Sequence, residues 1–162
     1  MHIHKMVQTT AIAAVFTASA AIGMADTLRW ASKTDPDTMD PHAGSSAPVL
    51  SFLNNVYEGL VRRGRDMSIE PSLATSWEPL VGENGWRFTL RKGVVYHDGA
   101  KFDAKDVLFS YNRASDEVSD VRSWFAPVKE VRVVDEYTID FVTKVPNPLF
   151  PDSIANFMIL DK

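Results

Sequence analysis

Residues 86–104 read Trp86-Arg87-Phe88-Thr89-Leu90-Arg91-Lys92-Gly93-Val94-Val95-Tyr96-His97-Asp98-Gly99-Ala100-Lys101-Phe102-Asp103-Ala104, and Asp106-Val107-Leu108-Phe109-Ser110-Tyr111 follows almost at once. The run opens with clean alternation. Trp86, Phe88 and Leu90 fall on one side of an extended chain, and Arg87, Thr89 and Arg91 on the other. That period marks a strand with one buried and one wet face. Asp98-Gly99 is turn chemistry. Asp103 is an N-cap residue, and Asp106 stands in the first turn, where carboxylates meet the positive end of a helix. Val107, Leu108 and Tyr111 continue an apolar helix face.

Working outward, Gly82-Glu83-Asn84-Gly85 is a turn that feeds this strand, and Ser76-Trp77-Glu78-Pro79 begins the strand before it. Pro71 to Ala74 reads as a short helical turn, and Leu60 to Arg63 as a strand. A helix is expected from near Ser46, with Ser45 and Ser46 as cap residues and Pro48 tolerated in the first turn. Its apolar stripe is Val49, Phe52, Leu53, Val56, Tyr57 and Leu60, and Gly59 is its stop signal. Two Asp-Pro steps make residues 35–41 a loop. Towards the N-terminus, Thr27 to Ser32 reads as a short strand. On the other side, Val131 to Val134 and Tyr137 to Thr143 form a hairpin around Asp135-Glu136. Pro146-Asn147-Pro148 breaks the chain, and Leu149 to Asn156 forms a last short helix. Short strands with two good helices give a mixed α/β domain with largely antiparallel pairing.

The chain has 162 residues, 17 Lys and Arg against 21 Asp and Glu, and no cysteine. The mild acidity argues against nucleic acid as a partner. Without cysteine there are no disulfides, thiolate metal sites or cysteine nucleophiles. Residues 1–25 read as a secretory signal peptide: Lys5 is the only charge, an apolar and small stretch covers Ala11 to Ile22, and Gly23-Met24-Ala25 offers small residues to a signal peptidase. Cleavage is expected after Ala25, which places the product in the periplasm.

Chemistry-bearing patterns are few. His97-Asp98 invites a base-and-orienting-acid reading, but adjacent strand residues point to opposite faces and no Gly-x-Ser-x-Gly elbow accompanies them. An Asp-Gly turn is the preferred account. Asp35, Asp37 and Asp40 lack the glycine and glutamate that a calcium loop requires. Outside the signal only His42 and His97 remain, without metal-ligand spacing. No cofactor is expected, and no catalytic residue. Trp77 and Trp86 read as core residues on strands, and Trp30 as ending the first strand. Trp124, in Ser123-Trp124-Phe125-Ala126-Pro127, falls on a loop-like stretch and is a candidate ligand contact.

Several ordered blocks carry a resemblance. They are Met39-Asp40-Pro41-His42, Val56-Tyr57-Glu58-Gly59-Leu60, Pro71-Ser72-Leu73-Ala74-Thr75-Ser76-Trp77-Glu78, the run from Trp86 to Tyr111, and Ile159-Leu160-Asp161-Lys162. Together they resemble the extracytoplasmic solute-binding proteins of family 5, the peptide/nickel-type substrate-binding components of ABC transporters. The resemblance runs from about Thr27 to Lys162. It implies a type II periplasmic binding protein fold of the peptide-binding class, present in part: mainly the additional subdomain of that class, plus the first strand of lobe I. The implied organisation is a signal peptide over residues 1–25, the first strand and loop of lobe I over 26–44, and the subdomain over 45–162.

The resemblance further implies a peptide or similar small solute as ligand and ABC permease subunits in the membrane as partners. In peptide-binding relatives the loop after the first strand and the start of the next helix contribute backbone groups to the peptide main chain. The matching stretch is Gly44-Ser45-Ser46-Ala47, where simple helix capping is the competing account. Family members are several times longer, so a truncated, binding-impaired receptor is expected, with strand Thr27–Ser32 left unpaired at its edge. The alternative is a short secreted structural or interaction protein without a transport role.

Overall fold

The computed structural model describes Ala31 and residues 33–162. The expected signal segment, its expected cleavage position and nearly all of the expected strand Thr27–Ser32 lie outside the described residues. The unit Ser32–Lys162 contains helices α1 (Ala47–Leu53), α2 (Ala104–Ala114) and α3 (Phe150–Ser153), a 3-10 turn (Arg122–Phe125), and strands β1 (Val61–Arg63), β2 (Ile69–Pro71), β3 (Ala74–Pro79), β4 (Gly85–Leu90), β5 (Val128–Asp135) and β6 (Thr138–Thr143).

The alternating strand is β4, and it lies inside a four-stranded antiparallel sheet of order β3-β4-β6-β5. Its register sets the two faces. Trp86 lies opposite Phe141 and Phe88 opposite Ile139, while Arg87 lies opposite Asp140. Trp77 of β3 lies opposite Phe88, and Val131 and Val133 of β5 lie opposite Phe141 and Ile139. The apolar face therefore collects Trp77, Trp86, Phe88, Leu90, Ile139 and Phe141. Phe88, Ile139 and Phe141 are fully buried. The opposite face carries a two-pronged ion pair, with Arg87 Nε and Nη2 2.7 and 2.8 Å from the Asp140 carboxylate oxygens.

The turn into β4 needs its glycines. Gly82 and Gly85 have φ of +83° and +144°, conformations that L side chains rarely adopt. A Cβ on Gly85 would stand 2.2 Å from the Phe141 carbonyl oxygen. The hairpin β5–β6 turns where expected, with the Asp135 carboxylate accepting the Tyr137 amide at 2.8 Å.

α2 covers the apolar face through Val107, Ala114, Leu108 and Tyr111. Tyr111 stands edge-on to both Phe125 and Phe141. Its start is a reciprocal capping box: the Asp103 side chain accepts the Lys105 and Asp106 amides, and the Asp106 side chain accepts the Asp103 amide. Two of the helix's orphan donors and the cap's own amide are satisfied in this way.

Three expectations fail locally. The first helix stops at Leu53 instead of running on to a stop at Gly59. The Asn54 and Asn55 side-chain amides donate to the Leu50 and Ser51 carbonyls, so local side-chain bonding ends the helix. Gly59 is not its stop; it forms an antiparallel bridge with Met158, where a Cβ would meet the Phe157 carbonyl oxygen at 2.8 Å. Pro71 to Ala74 is not helical. Pro71 pairs with Val61 in the two-stranded β1–β2 sheet, and the Leu73 and Ala74 amides donate to the Gly59 and Leu60 carbonyls at 3.0 and 2.8 Å. Long-range backbone partners, absent from the sequence, displaced the local helical option.

Candidate functional site

The five sequence blocks, widely separated along the chain, all contribute to one groove of about 750 Å³. Asp40 and Pro41 come from the first block, Tyr57 and Glu58 from the second and Leu73 from the third. Tyr96, His97, Asp98, Phe102 and Phe109 come from the fourth, and Ile159, Leu160 and Asp161 from the fifth. Leu73, Phe102 and Ile159 are buried and form its floor. Val56, Val95 and Phe109 leave apolar surface at its walls, with exposures of 44%, 60% and 40%.

Each block has a physical task there. In the first, Asp40 receives both terminal nitrogens of Arg113 from α2. That guanidinium, with the His42 amide, holds the Asp40 carboxyl well below its ordinary 3.8, at about 2. Arg113 moves up correspondingly. In the second, Glu58 accepts from Ser72 at 2.8 Å and from Arg91 at 2.6 Å, which joins the second, third and fourth blocks. In the fourth, the Asp98 carboxylate accepts the Ala100 amide at 2.9 Å and Gly99 has φ of +91°. His97 and Asp98 are both exposed, and Asp98 and Gly99 form the expected turn.

The fifth block is held in extended form against α2. The Leu160 amide donates to Ser110 Oγ at 2.8 Å, and Tyr96 Oη donates to the Leu160 carbonyl at 3.2 Å. The Ile159 amide donates to the Glu58 carbonyl at 3.0 Å. Lys162 Nζ reaches Asp106 at 2.9 Å and Asp103 at 3.5 Å. A fully buried carboxylate needs such partners, and Asp106 has the Asp103 amide and the Lys162 ammonium. Burial pushes the Tyr96 hydroxyl far up, and the negative charge of Asp106, Asp161 and Asp103 adds to this. The phenol thus stays neutral and donates to Leu160.

The candidate contact residues lie elsewhere. Gly44 is half-buried against Thr38 and Val49, each 3.2 Å from where its Cβ would be. Ser45, Ser46 and Ala47 are exposed. Ser46 has the extended backbone of an N-cap, but its side chain makes no cap hydrogen bond. The capping account therefore holds for the backbone of Ser46 and not for its hydroxyl. Trp124 sits in the 3-10 turn Arg122–Phe125, half-buried and packed against the main core. Trp77 and Trp86 pack as expected, Trp86 donating its indole N–H to the Asn147 carbonyl at 2.9 Å. Among the described residues no group of three or more His, Cys, Asp or Glu is placed to hold a metal, and no helix is long and apolar enough to cross a membrane. Sequence reasoning missed the groove; the joint signal was the order of the blocks themselves.

The model of bacterial extracellular solute-binding proteins, family 5 middle, matches residues 68–161. The periplasmic murein peptide-binding protein MppA of Escherichia coli is 27% identical over 145 residues, covering 77% of this chain and 27% of that protein. The binding protein DppA from Helicobacter pylori, in complex with the peptide STSA, has a TM-score of 0.68 at 29% identity over 79% of this chain and 29% of that one. NikZ from Campylobacter jejuni, in complex with Ni(L-His), has a TM-score of 0.70 at 27% identity over 79% and 26%. The chain spans less than a third of the length of the curated relatives it matches. The fold is the mixed α/β fold of type II periplasmic binding proteins, in part. With its five blocks assembled around one groove and its capped helix on one face of the sheet, the chain belongs to family 5 of the bacterial extracellular solute-binding proteins.

Proposed function

We propose that this chain forms part of the substrate-binding component of a periplasmic ABC importer for peptides. Residues 1–25 are its export signal, cut after Ala25. Residues 26–44 belong to the first lobe and 45–162 to the additional subdomain. ABC permease subunits are the membrane partner, and the role is binding, not catalysis. The observation that carries this reading is the family match over residues 68–161. The named ligands of MppA and DppA favour peptides among the family's solutes.

In this reading Gly44, Ser45, Ser46 and Ala47 meet the peptide main chain, and Trp124 offers an aromatic contact. Support comes from the exposed Ser45 and from the Ser46 hydroxyl, which makes no cap hydrogen bond. Relatives are much longer, so these 162 residues by themselves present only part of a peptide's surroundings. Their grip on peptide is accordingly impaired, on the order of millimolar or weaker, worth about 4 kcal/mol. Titration of the chain with di- to tetrapeptides, followed by amide NMR, tests both points. Weak saturating shifts confined to Gly44–Ala47 and the Trp124 indole are expected. Micromolar affinity would sink the impairment, and shifts centred elsewhere would sink the site.

A further inference from the structure

His42 is only 3% exposed and joins parts of the chain that are far apart in sequence. Its Nε2 lies 3.1 Å from the Met158 carbonyl oxygen. A carbonyl only accepts, so Nε2 carries the proton and Nδ1 is a bare acceptor. That Nδ1 is buried and has no hydrogen-bond partner among the described residues. The ring stacks on Phe157, with centroids 6.0 Å apart and planes at 22°. The His42 carbonyl accepts the Asp120 amide at 3.1 Å and the Ser119 hydroxyl at 3.2 Å. The charged groups around it are Asp40 on its own segment, Arg113 on α2 and Asp120 after α2; Phe157 and Met158 bring none. Asp40 and Arg113 are engaged with each other.

We propose that His42 is an acid-released latch. With a neutral ring it fastens residues 39–43 to Phe157–Met158 and to the segment after α2. Protonation at Nδ1 frees this segment while the four-stranded sheet stays folded. A second proton would put a cation in a buried site with no acceptor facing Nδ1 among the described residues. Burial accordingly pushes the imidazole below its ordinary 6.5, against the opposing pull of the Met158 carbonyl, with Arg113 lowering it further and Asp40 raising it. A folded value depressed below 6.5 means that the latch is fully closed above pH 6.5. It weakens as pH falls from there towards the folded value, by up to about tenfold per pH unit. Among the described residues none of the hydrogen bonds of His42 goes to β3, β4, β5 or β6, so release of the latch leaves the pairing of the sheet unbroken. The latch requires nothing of a bound solute, although the freed segment runs directly into Gly44–Ala47.

Amide hydrogen exchange on the full chain, corrected for intrinsic rates, reads the latch between about pH 7.5 and about pH 5, the range where a histidine titrates. The reporters are the Ala43 amide, bonded to the Asp40 carbonyl, and the Asp120 amide, bonded to the His42 carbonyl. Amides of Phe88 and Phe141 serve as sheet references. Protection at the reporters should fall as pH drops below the ordinary histidine value, by no more than about tenfold per pH unit, with the references unchanged. His42→Gln keeps a donor for Met158 and does not titrate, so its reporters should show no such fall. Equal protection across the range, the same fall in His42→Gln, or a fall shared by the sheet would each overturn the latch. Should His42→Gln not fold, the imidazole can be titrated by NMR in the unaltered chain. Titration below 6.5 supports the latch, and titration at or above 6.5 overturns it.

Discussion

At the residue scale, charge placement in this domain follows what each carboxylate can find. Asp106 is fully buried and survives because the Asp103 amide and the Lys162 ammonium both reach it. Asp40 is only part-buried, yet its two-pronged contact with Arg113 and the His42 amide holds it at about 2. The sign of the pH effect follows. A carboxylate whose folded value is depressed contributes stability that is complete above pH 3.8 and is lost as pH falls from there to about 2. Asp40→Asn should therefore lower stability at neutral pH and flatten the acid limb across that interval. Urea melts of both chains at a series of acid pH values check this. An undiminished acid limb in the variant would refute the assignment. Arg113 remains substantially open to water, so the effect is smaller than a buried pair would give.

At the element scale, β4 and α2 are where local and long-range demands agree. The alternation of β4 matches its one-sided burial, and the Asp103–Asp106 capping box starts α2 at the residue its sequence specifies. Elements with conflicting demands depart from their local pattern. Residues 47–60 carry a helical stripe, but Asn54 and Asn55 end the helix, and Leu60 and Val61 are drawn into the main core. Residues 71–74 look like a helical turn until the Gly59 and Leu60 carbonyls claim their amides. A test of the β4–β6 junction is Gly85→Ala. Its positive φ and the 2.2 Å approach to the Phe141 carbonyl leave no room for a methyl group. Loss of roughly 2–4 kcal/mol is expected by chemical denaturation, by strain together with displaced pairing. A variant within error of the parent would show that β4 and β6 separate easily.

At the scale of the whole molecule, one buried cluster runs from Leu60 to Ile159 and takes in the sheet, α2, α3 and the 3-10 turn. The sheet, α2, α3 and the 3-10 turn should therefore unfold as one unit at neutral pH. Tryptophan fluorescence, which samples the sheet through Trp77 and Trp86 and the 3-10 turn through Trp124, should give the same midpoint as far-UV circular dichroism. Split midpoints would mean that the 3-10 turn melts apart from the sheet. The sequence by itself determined the family, the mixed α/β class, the β4 and β6 strands, the α2 cap and the Asp98-Gly99 turn. The family rests on the resemblance of the ordered blocks; the others rest on short-range periodicity and on side chains that bond their own neighbours. Only the tertiary structure decided that the five blocks close one groove, that Gly59 bridges Met158, that Arg113 finds Asp40 and that His42 is sealed against Phe157. Those contacts join residues far apart along the chain, and no local preference encodes which distant backbone or charge will arrive.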